Sequence, residues 1–266
     1  MSMTSEHAIE QAFIALGPVA DRERVERYRL IKTVDLVRAK AGDYTGKRVL
    51  ELGSSFGLHL VAAKLLGARQ CVGLDKFLFP ESGETDFVLP KEQVQALSAA
   101  WKASGMDVRR HDLADRLPFS DQSFDLVVCN AVIEHLHGIH RWVFQEAFRV
   151  LAPGGRLVVT TPNLASLLKR TRFLVGRSPL WDFRDYVDAG KEFTGHVREF
   201  TVKECEQLYQ WTGFQPVHIA AAPGYFRWRW LLQPKKIHYF FFQGFSLFRR
   251  TWGDLIYAIG QKPKGV

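Results

Sequence analysis

The sequence predicts a doubly wound α/β fold, a mostly parallel sheet with helices on both faces. Short apolar runs alternate with helix-periodic segments from residue 47 onward, the first run flows into a glycine-bearing turn, and acids stand at the ends of successive runs. With 266 residues and 47% hydrophobic content, the chain can bury a sizeable core.

Residues 22–41 read as a charged amphipathic helix, with Val25, Tyr28, Leu30, Ile31, Val34 and Val37 as an apolar stripe that packs on the sheet. An N-terminal helical extension over 1–45 is therefore expected to precede a domain over 46–266. Strands are predicted at 47–52, 70–74, 107–111, 124–129 and 155–161, separated by helices at 58–66, 91–104 and 140–150. Pro153-Gly154-Gly155 punctuates the last helix-to-strand turn. No internal repeat or low-complexity segment interrupts this order.

The most informative stretch is Val49-Leu-Glu-Leu-Gly-Ser-Ser-Phe-Gly57. Gly53 permits a tight turn and close approach of a ligand to the backbone, and Glu51 places a carboxylate beside it. A nicotinamide site would read G-x-G-x-x-G, whereas this chain reads E-x-G-x-S-x-G. That order suits a ligand bearing hydroxyls and a cation better than a pyrophosphate. The next strand ends in Asp75, 24 residues after Glu51, a spacing at which a strand-end acid accepts both hydroxyls of a ribose. The third ends in Asp112, so three strands deliver carboxylates to one sheet edge, where open α/β sheets bind ligands.

These residues resemble the class I S-adenosylmethionine-dependent methyltransferases, from about Lys47 to Phe214. Leu117-Pro-Phe-Ser-Asp-Gln-Ser-Phe-Asp-Leu-Val-Val128, Val132-Ile-Glu-His135 and Val150-Leu-Ala-Pro-Gly-Gly-Arg-Leu-Val-Val159 extend the likeness. The resemblance implies a Rossmann-like, seven-stranded sheet closed by antiparallel pairing of 213–220 with 255–259, and S-adenosyl-L-methionine as cofactor. It implies that Glu51, Gly53, Ser54, Ser55 and Gly57 line the methionine end, with Ser55 standing where many members have glycine. Asp75 and Lys76 would meet the ribose, Asp112 and Leu113 the adenine, and Asn130 the methionine amino group and transferable methyl.

Methyl transfer to oxygen needs a proton acceptor as well as alignment, and histidine is suited to that task near neutral pH. His135, after Glu134 at the fourth strand, and His196, in Gly195-His-Val-Arg-Glu-Phe-Thr201, are the candidates, ahead of His111, His137, His140 and His218. Some quinone-forming and RNA-end members of the superfamily bind magnesium through E-x-x-E-H and a later histidine. Here Ala131 replaces the first carboxylate, and magnesium prefers oxygen donors, so the sequence reading assigns no metal.

Three segments exceed what the core needs, at about 76–90, 163–196 and 223–252, and acceptor recognition is expected there. Residues 224–266 hold eight Lys or Arg against the single acid Asp254, and 12 of the 34 aromatics. Cations interleaved with Trp and Phe over 224–252 suit an anionic membrane surface or a phosphate-bearing lipid. Nucleic acid ranks below this, since no RNA-binding module accompanies the patch. The Thr161-Pro-Asn163 turn, the basic segment after it and His196-x-Arg-x-Phe-Thr201 resemble bacterial methyltransferases of glycan, polyprenyl and other lipid-linked substrates. O-methylation of a glycan, lipid-linked or related metabolite is thus the leading expectation. Methylation of a soluble small molecule and a non-catalytic scaffold of the same fold are the alternatives. The first residues lack a secretory pattern and no run of about 18 apolar residues occurs, so a cytoplasmic protein, peripheral at the inner membrane face, is expected. Cys71, Cys129 and Cys205 form no CxxC and are expected as small core hydrophobes.

Overall fold

The computed structural model describes residues 3–76, 90–180, 182–189, 195–224, 241, 244–245 and 247–265. Most of the expected insertion at 76–90, and residues 225–240 of the basic aromatic segment, lie outside the described residues.

The strands are β1 (Arg48–Leu52), β2 (Gln70–Asp75), β3 (Asp107–Arg110), β4 (Phe124–Asn130), β5 (Leu151–Pro162), β6 (Gln215–Ala222) and β7 (Leu255–Gln261). They form one sheet in the order β3-β2-β1-β4-β5-β7-β6. The first five run parallel, and β7 lies antiparallel to both β5 and β6. The chain first builds outward from β1 to β3, then returns to the other side of β1 with β4. That reversal opens a crevice at the carboxyl ends of β1 and β4, where doubly wound sheets take their ligands.

The helices are α1 (Ser5–Leu16), α2 (Arg27–Lys40), α3 (Leu58–Leu65), α4 (Lys91–Ala103), α5 (His140–Val150), α6 (Leu167–Leu174), α7 (Phe183–Ala189) and α8 (Val202–Trp211). Alternation along the central strands sorts the core into two layers. Val49, Leu126, Val128 and Val158 face α1 to α4, through Ile9, Leu30, Val34, Val61 and Trp101. Leu50, Leu52, Val127 and Val159 face α5 and α8, through Phe144, Ala147 and Tyr209. Burial on both faces is why the parallel strands read as continuous apolar runs.

The structure revises two boundaries. The helix expected over 22–41 is divided: Pro18–Glu26 is a 3-10 helix, and the α-helix starts only at Arg27. Val25, placed in the apolar stripe, is 59% exposed, while Leu30, Val34 and Val37 are buried. β5 starts at Leu151, ahead of the Pro153-Gly154-Gly155 turn. Leu151 already pairs with Phe124, and the ladder resumes at Arg156 with Leu126, so those residues form an irregularity inside the strand. Among the described residues, no helix is long and apolar enough to cross a membrane.

Gly260 of β7 lies under the buried ring of Tyr209, where a Cβ would collide with it. Gly260→Ala should cost about 1–3 kcal/mol through overpacking. The expected readout is a lower thermal midpoint with an unchanged far-ultraviolet spectrum; an unchanged midpoint would show that α8 is not held tightly on β7.

Candidate active site

The glycine turn after β1 is built from backbone conformations that few residues adopt. Gly53, Ser55 and Gly57 have φ of 67°, 47° and 85°. A Cβ on Gly53 would collide with Val132, and Gly57 opens α3 in the left-handed region. Leu74 O accepts from the Gly53 and Ser54 amides at 2.8 and 3.1 Å, tying the turn to β2. Asp75 Oδ2 accepts from Ser55 N at 2.8 Å, which holds Ser55 in its uncommon conformation.

Glu51 and Asn130 meet across β1 and β4. Asn130 Nδ2 donates to Glu51 Oε1 at 3.0 Å, and Asn130 Oδ1 accepts from Thr33 and Thr160 hydroxyls, each at 3.1 Å. Both residues are buried. Farther along the edge, Lys76 pairs with Asp112 at 3.0 Å, and Asp112 accepts from Ala114 N at 2.9 Å. Burial works to raise the Asp112 carboxyl, but the Ala114 amide and the Lys76 ammonium outweigh it and hold it below its ordinary value. Leu113 is half-buried against the α5 side of the core.

Three residues absent from the sequence reading complete this end: Glu23, Arg29 and Thr33. Ser55 Oγ donates to Glu23, which brings the 3-10 helix over the glycine turn. Arg29 is 9% exposed and donates through Nε to Glu26 at 2.8 Å. Burial pushes the Glu23 carboxyl up to about 7. Arg29 Nη1, Glu51 Oε2 and Ser54 Oγ are buried without a hydrogen-bond partner. Buried polar groups ordinarily find partners. One cationic donor beside carboxylate acceptors fits the carboxylate and ammonium of an amino acid. The missed signal was Arg29 and Thr33, spaced i and i+4 within an otherwise apolar helix face.

The second cluster lies beyond β4, in the 3-10 turn Ile133–His135. Glu134 is 1% exposed; Thr161 Oγ1 donates to its Oε2 at 3.0 Å, while its Oε1 is buried without a hydrogen-bond partner. Burial pushes this carboxyl up to about 7. The Val197 and Arg198 amides donate to Glu134 O at 2.8 and 3.2 Å, which draws the 195–200 segment back across the turn. His135 Nδ1 donates to Gly195 O at 3.1 Å, and the His135 and His196 rings lie edge to face, 5.1 Å apart.

His196 Nδ1 donates to Glu199 Oε1 at 2.9 Å, and Lys169 of α6 donates to Glu199 Oε2. Burial, reinforced by His135 and Lys169, pushes His196 down to about 4. With the Glu199 charge matched by Lys169, His196 is a neutral imidazole at pH 7, its proton on Nδ1 and its lone pair on Nε2. Sequence reading paired His135 with His196 but not Glu199 or Lys169, which lie 3 and 27 residues from His196. One ligand atom each from Glu134, His135 and His196 lies within 4.8 Å of the others. A carboxylate with two imidazoles suits a borderline divalent ion better than magnesium. His140, by contrast, serves the backbone, donating from Nε2 to Ile133 O at 2.9 Å.

The methyltransferase-domain family matches residues 22–219. A Mycolicibacterium smegmatis protein, provisionally assigned as an S-adenosylmethionine-dependent methyltransferase, is 32% identical over 173 residues, covering 64% of this chain and 52% of that one. The methyltransferase YcgJ of Bacillus subtilis is 29% identical over 114 residues, covering 42% and 39%. The matches thus span about half or less of these relatives' length. The solved S-adenosylmethionine-dependent methyltransferase of Mesorhizobium loti superposes with a TM-score of 0.55 at 18% identity, over 86% of this chain and 96% of that one.

The ring nitrogens of His196 offer a direct check. Nitrogen-15 NMR should show Nδ1 protonated and no titration between pH 5.5 and 8, with a midpoint near 4. A midpoint above 6 would overturn the assignment of a neutral base. The glycine turn, the strand-end acids, the sheet order and the family match lead to one conclusion: the chain belongs to the methyltransferase-domain family, the class I S-adenosylmethionine-dependent methyltransferases, and S-adenosyl-L-methionine is its cofactor.

Proposed function

We propose that this protein transfers a methyl group from S-adenosyl-L-methionine to a hydroxyl oxygen of a glycan, lipid-linked or related acceptor, met at or near the inner face of a membrane. The observation that supports an oxygen acceptor most directly is the neutral His196, oriented by Glu199 and set against His135 and the buried Glu134.

The cofactor supplies a methyl group on a sulfonium, so carbon–sulfur cleavage neutralises a cation. At the methionine end, Arg29 would hold the carboxylate, and Glu51 and Glu23 would hold the ammonium. Asn130, held by three hydrogen bonds, keeps Glu51 in place. Asp75, with Lys76 beside it, would take the ribose hydroxyls, and Asp112 and Leu113 would border the adenine. At the acceptor, His196 Nε2 removes the hydroxyl proton as the oxygen lone pair forms the new carbon–oxygen bond. The proton taken from the hydroxyl leaves His196 as an imidazolium. Glu134 and His135 position the hydroxyl in line with the methyl.

Cofactor affinity should depend on pH with a definite sign. Burial leaves Glu23 protonated below about 7 even with Arg29 nearby. The ammonium favours its charged form, so binding releases a proton and affinity rises from pH 6 to pH 8. Calorimetry should show this rise in the wild type and a flatter profile in Glu23→Gln. Asp75→Ala should weaken binding about 10–100-fold, as expected for a lost hydrogen bond to a charged group. No binding of S-adenosyl-L-methionine, or indifference to Asp75→Ala, would sink this reading.

The acceptor can be sought by transfer of labelled methyl into a cell-extract pool separated into lipid and water-soluble fractions. Label is expected in base-stable ethers of the lipid or glycan fraction, and His196→Ala should reduce it by about 100-fold or more. Label confined to water-soluble amines would refute the oxygen acceptor.

A further inference from the structure

We propose that the carboxyl-terminal end of α6, together with Phe245 and the 247–250 turn, docks on the surface of an anionic lipid bilayer and holds the mouth of the site against it. The inference rests on the lipid-linked reading only for its purpose; the surface itself is read from exposure, charge and position. The sequence reading placed membrane contact in 224–252 alone, whereas α6 falls in the segment assigned to acceptor recognition.

Around α6, Arg172-Phe-Leu-Val-Gly-Arg-Ser178 is exposed throughout. Phe173, Leu174 and Val175 are 71%, 82% and 70% exposed. Isolated exposed apolar residues are ordinary, but a contiguous group flanked by Arg170, Arg172 and Arg177 is not. α7 also exposes Phe183, Tyr186 and Val187, but beside Asp182, Asp185 and Asp188, so it is not part of this surface.

A second group adjoins the first. Leu167 N, at the start of α6, donates to Trp252 O at 2.9 Å, and Asn163 Nδ2 donates to the Thr251 and Gly253 carbonyls at 2.9 and 2.7 Å. Just before these residues stand Phe245, Leu247 and Phe248, all exposed, followed by the exposed Arg249 and Arg250. No acid occurs in 164–178 or 241–253. Rings and aliphatic tips bordered by arginines match the interfacial region of a bilayer carrying negative headgroups, where apolar groups enter the acyl boundary and cations remain at the phosphates.

Position connects this surface to the chemistry. α6 follows β5 at the carboxyl edge of the sheet, where Thr161 meets Glu134. Lys169 reaches inward to Glu199, which orients His196, and Phe173 stands one turn farther along the same helix. Four residues of helix rise about 6 Å. A bilayer contacting Phe173 therefore lies about one helical turn beyond the residue that anchors the base, and a headgroup hydroxyl reaches the site while its acyl chains stay in the membrane.

The test is flotation of the full chain with large vesicles of phosphatidylglycerol and phosphatidylcholine, compared with phosphatidylcholine alone. Wild-type protein should float with the anionic vesicles, and raising the salt to 0.5 M should weaken this. Phe173→Glu with Leu174→Glu should reduce bound protein at least tenfold, and Phe248→Glu should reduce it separately. Each arginine changed to glutamine within 170–177 should cost about fivefold. These side chains are exposed, so the thermal midpoint and S-adenosyl-L-methionine affinity should remain at wild-type values. Equal flotation with neutral and anionic vesicles, or variants that float like wild type, would overturn the proposal. Loss of methyl transfer with flotation intact would instead count against the acceptor reading and leave the docking surface standing.

Discussion

The Asn130 carboxamide is the junction on which the site depends. It stands at the end of β4, donates to Glu51 of β1, and accepts hydroxyls from Thr160 of β5 and Thr33 of α2. Four elements, from residues 33 to 160, thus meet at one side chain where the sheet reverses direction. The interaction is buried, so each polar atom left unmatched would carry a desolvation penalty. The position of Glu51, the seating of α2 and the spacing of β1, β4 and β5 are therefore coupled.

Around that junction the crevice holds two clusters of polar side chains. The first gathers ionisable groups, with Arg29, Glu26, Glu23 and Glu51 supplied by the N-terminal helices and β1. The second keeps the His196 imidazole neutral by burial and by matching Glu199 to Lys169. Arg29 links them, because its charge acts on both Glu23 and Glu134. In a low-dielectric crevice such interactions extend farther than in water, so a charge arriving at one end is felt at the other.

The parallel core was legible because strands covered on both faces must be apolar along their length, as in Leu126-Val-Val-Cys129. Glu51 and Asp75 were legible because each stands at the end of such a run, whereas Asp112 was marked only by its place after the short polar strand β3. Arg29 was not, since its meaning comes from contact with residues brought near only by the fold, and its own helix reads as an ordinary amphipathic one. Glu199 was visible as an acid three residues after His196, but nothing local marks which of several neighbouring charges will be buried against the ring. The start of β5 was missed for another reason. Pro-Gly-Gly normally breaks a ladder, whereas here the strand absorbs it as an irregularity and continues.

The order of the last three strands has a consequence for synthesis on the ribosome. Among the described residues, β6 pairs with β7 alone, and β7 lies between β6 and β5. Residues 223–254 must emerge before that partner does, and the central strand of the closing trio is the last to be made. The parallel half can assemble while the chain is still growing, since domains form from the N-terminal side first. β6 cannot join the sheet until residue 261 has cleared the exit tunnel. Until then the far edge of β5 is an open strand on a nascent chain, the point at which premature pairing with a neighbour is most accessible.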